Sequence, residues 1–284
     1  MKLFHHWASA TEAVDPQANP WGIPAVTCRA GSNVSRDDAR RQAAERARQV
    51  AVAIGQSERP PRYAYGDRPL CEEIIEEYRD GQGQLTAAVT RNAYGALVLN
   101  TALVLFADID YEDRPGEVLK NFFRRLLGRP VTTQDDEIIG RVEQLAHDSR
   151  DLGVRLYRTA GGYRVLVTSR TFQPVSKDAQ DLLHRLGSDP LYIQLCQTQE
   201  CFRARLSPKY FRCGITPPPA RFPWEDPEDE ADFRQWEKVY LEAARPYSTC
   251  TFIESFGPAY VHESVTPVME LHDRLSCSGG EVLA

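Results

Sequence analysis

Apolar and polar positions divide this chain into a helical N-terminal part, a β-rich centre and a mixed C-terminal part. Residues 1–34 carry Pro, Gly, Asn and aromatic residues with no sustained period, which predicts an ordered but irregular arm. From Ser35 the sequence SRDDARRQAAERARQVAVAI places Asp37 and Asp38 in a first turn and ends near Gly55. A helix capped by Ser35 is expected there. Residues 56–67 read as a Pro/Arg-rich loop, and residues 69–80 (PLCEEIIEEYRD) as a short helix closed by Gly81 and Gly83. LTAAVTRN then alternates as a strand, Ala93-Tyr94-Gly95 turns, and residues 96–110 form a nearly continuous apolar run. Such a run fits a strand covered on both faces.

Two helices are predicted over 116–128 and 134–149, the second capped by Thr133 with Asp135, Asp136 and Glu137 in its first turn. GVRLYRTAGGYRVLVTS is a hairpin with its turn at Ala160-Gly161-Gly162. A helix at Ser176–Leu186 follows, and Asp189-Pro190 starts another. CFRARLSPKYFRC reads as a strand with alternating cations, 215–230 as a Pro-rich then acidic loop, and 228–246 as a helix. STCTFIES makes a last strand and SVTPVMELHDRL a last helix. The succession predicts an α+β fold with a mixed central β-sheet flanked by helices and an N-terminal helical segment. The division expected is an arm with helices over 1–84, packed on a core over 85–284.

Composition narrows this picture. The chain has 284 residues, 42% of them hydrophobic, enough for one large domain or a domain with an appendage. A net charge of −6 gives no global signal for nucleic acid, so such binding requires a local basic patch. No apolar run approaches the ~18 residues of a membrane span, and MKLFHHWASATEA lacks the apolar core of a signal peptide. A cytoplasmic protein with no membrane partner is expected. Seven cysteines, without a Cys-x-x-Cys pair, argue against a disulfide framework. Cys196, Cys201 and Cys213 lie close in sequence, but zinc would need a fourth ligand such as His184 or Cys250. Buried reduced thiols are the simpler reading.

The chemistry-bearing residues begin with FADIDYED. Asp108 and Asp110 are spaced i, i+2 at a strand end, so both carboxylates share a face. Two carboxylates on one face repel, and a divalent cation, Mg²⁺ or Mn²⁺, is a usual reason to tolerate them. Glycosyltransferases use the same pattern, and a solvated strand end is the plain alternative; Glu112 and Asp113 read as solvated loop charges. In RTAGGYRV, Gly161 and Gly162 allow backbone to approach a phosphate, and Arg158, Thr159 and Arg164 surround the turn. An ordinary Gly-Gly hairpin explains the same residues. Downstream, Arg203 and Arg205 share a strand face, with Lys209 and Arg212 beyond. This basic stretch suits an anionic ligand, with Tyr210 and Phe211 available to stack on a base, or else it protects a strand edge from aggregation. Glu254 ends another apolar strand and is a candidate third metal ligand or a surface residue. P-loop, dinucleotide-binding, zincin and α/β-hydrolase motifs are all absent from the sequence.

In order, these pieces resemble the archaeo-eukaryotic primase superfamily, which includes primase-polymerases. FADID is similar to that family's metal-binding strand, TAGGYR to its small-residue hairpin, FIE to its last acidic strand, and ARLSPK to its phosphate-contacting region. The resemblance spans roughly residues 85–256 and rests on few residues by motif. It implies an RRM-like core, Asp108, Asp110 and Glu254 as catalytic metal ligands, and a nucleotide site at Thr159, Gly161, Gly162, Arg164, Arg203, Arg205 and Lys209. The partners implied are a nucleoside triphosphate and DNA or RNA. Arg164 stands where the family has His, a departure that puts polymerisation in doubt. The expected function is therefore a metal-dependent nucleotidyltransferase. The alternatives are a non-catalytic nucleotide- or nucleic-acid-binding protein on the same fold and a metal-dependent glycosyltransferase.

Overall fold

The computed structural model describes residues 1–284 apart from 20, 57–69, 116–132, 225 and 281. It opens with two antiparallel strands, β1 (His6–Ala13) and β2 (Ala25–Ser32), in register from His6↔Ser32 to Ala13↔Ala25. Helix α1 (Arg36–Gly55) lies across this hairpin. Ala39, Ala43 and Ala47 are fully buried at i, i+4 spacing, so the helix approaches the strands with no large side chain between them. Ser35 caps it as expected, its Oγ accepting from the Asp38 N–H. The irregular arm expected over 1–34 is thus largely a hairpin. Much of it is Ala, Ser and Thr, whose small side chains leave little hydrophobic alternation to read.

The short helix expected over 69–80 is also corrected. Glu73–Arg79 form a strand, β3, antiparallel to β4 (Leu85–Arg91). EIIEEYR has fair helix formers, but the free edge of β4 offers its backbone a ladder, and this pairing overrides local propensity. The division expected at 84/85 falls inside that hairpin. With β5 (Leu97–Thr101) and β9 (Phe202–Arg205) these strands make a sheet of order β3-β4-β5-β9.

A second sheet contains β6 (Phe106–Asp110), β7 (Val154–Thr159), β8 (Gly162–Val167) and β11 (Cys250–Phe256), in the order β11-β7-β8-β6. The single run expected over 96–110 is therefore two strands in two sheets. The chain crosses between them over 102–105, where Thr101 Oγ1 donates to the Val104 carbonyl at 2.6 Å. Both four-stranded sheets are antiparallel throughout, and among the described residues parallel pairing is confined to the short β10 (Tyr247–Ser248) with β12 (Val282–Leu283).

The remaining helices are α2 (Gln134–Asp148), α3 (Lys177–Leu186), α4 (Pro190–Gln199), α5 (Pro227–Ala244) and α6 (Thr266–Ser276). The helix expected over 116–128, and the loop over 57–67, lie outside the described residues. The α+β class is as expected. One face of the second sheet packs Ala107, Ile109 and Val165 against Val142 of α2, Leu183 of α3 and Ile193 of α4. The opposite face turns Phe106, Tyr157 and Leu166 toward Leu99 and Ala204 of the first sheet and Leu271 of α6. No helix among the described residues is long and apolar enough to cross a membrane.

Candidate functional site

Asp108 and Asp110 alternate along β6 with Ala107 and Ile109, which are buried in the helical-side core, so the carboxylates belong to the other face. Because β6 is an edge strand, its outward carbonyls need partners. The start of α4 supplies them: Asp189 N–H and Ser188 Oγ donate to the Asp108 carbonyl at 3.0 and 2.8 Å, and the Tyr192 hydroxyl donates to the Phe106 carbonyl at 2.8 Å. The same Tyr192 oxygen accepts from the Arg203 N–H at 3.2 Å, tying β6 to β9 and joining the two sheets.

The result is a cleft of ≈ 540 Å³ lined by the carboxylates of Asp108, Asp110 and Asp189 and by Arg164, Arg203, Arg205, Lys209 and Arg212. Thr159 and Gly161 from the β7–β8 turn also line it. The cations come from β9 and the short 3-10 turn after it, Tyr210–Cys213. The basic strand expected over 201–213 therefore ends at Arg205, and Pro208 lies in the bend that swings Lys209 and Arg212 round.

The electrostatics are unbalanced on both walls. Burial, then Asp108 and Asp189, pushes the Asp110 carboxyl above the usual carboxylate range, with only partial relief from Arg205 and Lys209. Burial and the neighbouring Arg164 draw the Arg205 pKa down, and burial with Arg205 and Arg212 does the same to Lys209. Among the described residues none of Arg205, Lys209 and Arg212 forms a salt bridge, and Arg205 Nε is buried without a hydrogen-bond partner. Crowded carboxylates facing crowded cations suit a ligand that carries both signs, such as a phosphate chain with its divalent ion.

Several expected site residues have other roles. Arg164 is 1% exposed and lies behind Asp108, directly across from it in the β6–β8 register. Its Nε donates to Asp108 Oδ1 at 2.9 Å and its Nη1 to the Arg205 carbonyl at 2.9 Å. Burial works most strongly against its charge, but the charge and hydrogen bond of Asp108 together with Cys250 and Tyr192 leave its pKa raised. Arg164 thus positions Asp108 from the lining of the cleft, with its guanidinium committed to Asp108 and to the Arg205 carbonyl. Arg203 is likewise internal: its guanidinium binds both Glu72 oxygens at 2.7 and 2.9 Å and Asn100 Oδ1 at 2.5 Å. Sharing a strand face with Arg205 did not give it the same partner.

Gly162 is needed by the backbone. At φ +153°, a Cβ there would stand 2.1 Å from the Ile109 carbonyl oxygen, so the glycine permits the close pairing of β8 with β6. Gly161 does face the cleft, its Cβ direction lying 3.6 Å from Asp110 Oδ1 and 3.8 Å from Arg212 Nη2.

Glu254 does not join the aspartates. It is exposed on β11, at the sheet edge opposite β6, with β7 and β8 between. Three inter-strand spacings put it about 14 Å away. Asp189 replaces it as the third carboxylate in the cleft. Its sequence signal, Asp-Pro before an apolar segment, was readable as the helix cap that it is, since its carboxylate accepts from the Leu191 and Tyr192 N–H groups. The fold, by seating that cap on β6, also brings it beside Asp110. Cys196, Cys201 and Cys213 are buried thiols whose pKa values burial raises, and among the described residues they form no metal-ligand cluster.

No protein-family model matches the chain, and no curated protein or solved structure is significantly similar to it.

Proposed function

We propose that the cleft binds a nucleoside triphosphate with Mg²⁺ or Mn²⁺ and that the protein is a primase-polymerase-like nucleotidyltransferase acting with DNA or RNA in the cytoplasm. This reading takes the β11-β7-β8-β6 sheet and its helices as a divergent RRM-like core. The observation that carries it is the set of cations without a salt bridge among the described residues, Arg205, Lys209 and Arg212, gathered with Asp110 in a cleft whose volume suits a small ligand. The donor set fits a hard cation, because Asp110 is an oxygen donor beside two other carboxylates whose charge raises its pKa. Asp110, Asp108 and Asp189 are the oxygen donors at hand. A bound divalent ion would offset charge at the reacting phosphate. Arg205, Lys209 and Arg212 bind and orient the phosphate oxygens. Arg164 holds Asp108 in place.

Primer synthesis and extension with Mn²⁺, comparing wild type with Asp110→Asn and Arg205→Ala, tests this. Wild-type activity that falls on the order of 10²-fold in each variant is expected, the scale of losing one charge-stabilising group. Undiminished synthesis by Asp110→Asn overturns it.

A second reading, nucleotide or nucleic-acid binding without transfer, is favoured by one observation: Arg164 already occupies one oxygen of Asp108. It expects metal-independent binding that survives Asp110→Asn and weakens with Arg205→Ala and with salt.

A further inference from the structure

Next to Arg164, and outside the lining of the cleft, strand β11 and helix α6 bring three metal-binding side chains together. Cys250 opens β11, His272 lies in α6, and Cys277 follows that helix. The two sulfurs are 3.6 Å apart, Cys250 Sγ is 3.8 Å from His272 Nε2, and all three donor atoms lie within 4.8 Å of one another. A tetrahedral zinc ion, with Zn–S near 2.3 Å and Zn–N near 2.0–2.1 Å, needs sulfurs about 3.8 Å apart and sulfur–nitrogen edges of about 3.6 Å. The Cys250–Cys277 and Cys250–His272 separations nearly match two of those edges, and the third, from Cys277 to His272, is no more than 4.8 Å.

We propose that Cys250, His272 and Cys277 form a zinc-binding site with its fourth position open beside Cys277. One feature beyond the three donors supports it. His272 Nδ1 is 3.0 Å from Asp273 Oδ1, a contact that places the ring proton on Nδ1 and turns the Nε2 lone pair toward the sulfurs. Asp273 is itself held by Arg155 Nη2 at 2.9 Å and by the Tyr157 hydroxyl at 2.7 Å. A carboxylate behind the ring is the usual support of a zinc-bound histidine. On binding zinc the two thiols give up their protons and ligate as thiolates. Cys250 and His272 are fully buried, whereas Cys277 is partly exposed and gives the entry path.

Thiolate and imidazole donors select zinc over Mg²⁺ or Mn²⁺, so this site is separate from the carboxylates of the cleft and does not rest on the nucleotidyl-transfer reading. The two are neighbours through Arg164, whose Nη1 lies 3.3 Å from His272 Nε2. Ligation takes that lone pair and leaves Arg164 its bonds to Asp108 and to the Arg205 carbonyl.

Titration of the reduced, chelator-stripped full chain with Co²⁺, followed by Zn²⁺ competition, tests the site. One ion per chain is expected, with a thiolate-to-cobalt charge-transfer band that Zn²⁺ removes. Asp273→Asn is expected to weaken zinc affinity about 10–100-fold, and Cys250→Ser with Cys277→Ser to abolish the band. Asp110→Asn leaves the band intact. The wild-type spectrum decides even if a variant fails to fold: no thiolate band, or a Cys250–Cys277 disulfide formed in place of metal uptake, overturns the proposal. So does a band that persists in the double serine variant.

Discussion

Arg164 and Asp108 face each other across the β8–β6 ladder, joined by an Nε–Oδ1 hydrogen bond of 2.9 Å, with the arginine wholly inside the protein and the aspartate at its surface. The pair gives the cleft a fixed carboxylate and couples it to β9 through the Arg205 carbonyl. Removing the guanidinium strands a carboxylate and that carbonyl together. Arg164→Ala is expected to lower unfolding free energy in urea by about 3 kcal/mol, the low end for a broken buried pair because Asp108 keeps some water. Arg164→Lys restores only part of this, since one ammonium cannot reproduce the fork. A stability unchanged in Arg164→Ala would contradict the structural role.

Arg203 and Arg205, two residues apart on one strand, should behave oppositely. Arg203→Ala leaves Glu72 charged and buried, and a loss of about 3–5 kcal/mol is expected by chemical denaturation. Arg205→Ala removes a cation that has no salt bridge among the described residues, so stability should hold or rise while affinity for triphosphate falls. Thermal melting with and without tripolyphosphate separates the two outcomes.

Gly162 and Gly161 are also a contrasting pair. Gly162→Ala forces a Cβ toward the Ile109 carbonyl at 2.1 Å and is expected to cost on the order of 1–3 kcal/mol, read from the shift of the denaturation midpoint. Gly161→Ala meets only ordinary contacts and should fold normally. Equal stability of the two variants would refute the backbone argument.

Asp110 carries a pH signature. Its folded pKa lies above the unfolded value of about 3.9, so the folded state binds its proton more tightly. The group therefore costs stability at neutral pH, and the cost disappears as pH falls through the folded pKa to the unfolded one. Asp110→Asn should be at least as stable as wild type at pH 7, with the gap closing near pH 4. Mg²⁺ or Mn²⁺ should raise the melting temperature of wild type but not of this variant. A wild type less stable than Asp110→Asn at pH 4 by as much as at pH 7 would contradict this assignment.

Local chemistry was legible along the chain wherever cause and effect lie within a few residues. Ser35, Thr133 and Asp189 cap the helices they precede, and Gly161-Gly162 turns the β7–β8 hairpin. The i, i+2 spacing alone put Asp108 and Asp110 on one face, and the density of cations after Phe202 marked the other wall of the cleft. What the spacing could not reveal was the partner across that face. Only the tertiary structure committed Arg164 to Asp108 and Arg203 to Glu72, left Arg205 unpaired, sent Glu254 to the far edge of the sheet, and brought Asp189 to Asp110 and Cys250 to His272 and Cys277. Periodicity states which side of an element a residue occupies. The charge or donor that meets it is set by strand order and helix docking, which join residues 131 positions apart in the Arg203–Glu72 pair and 161 apart in Arg234–Glu73. The same long-range pairing made β3 a strand and divided residues 96–110 between two sheets, because an open sheet edge supplies hydrogen bonds that outweigh the small preferences of a seven-residue segment.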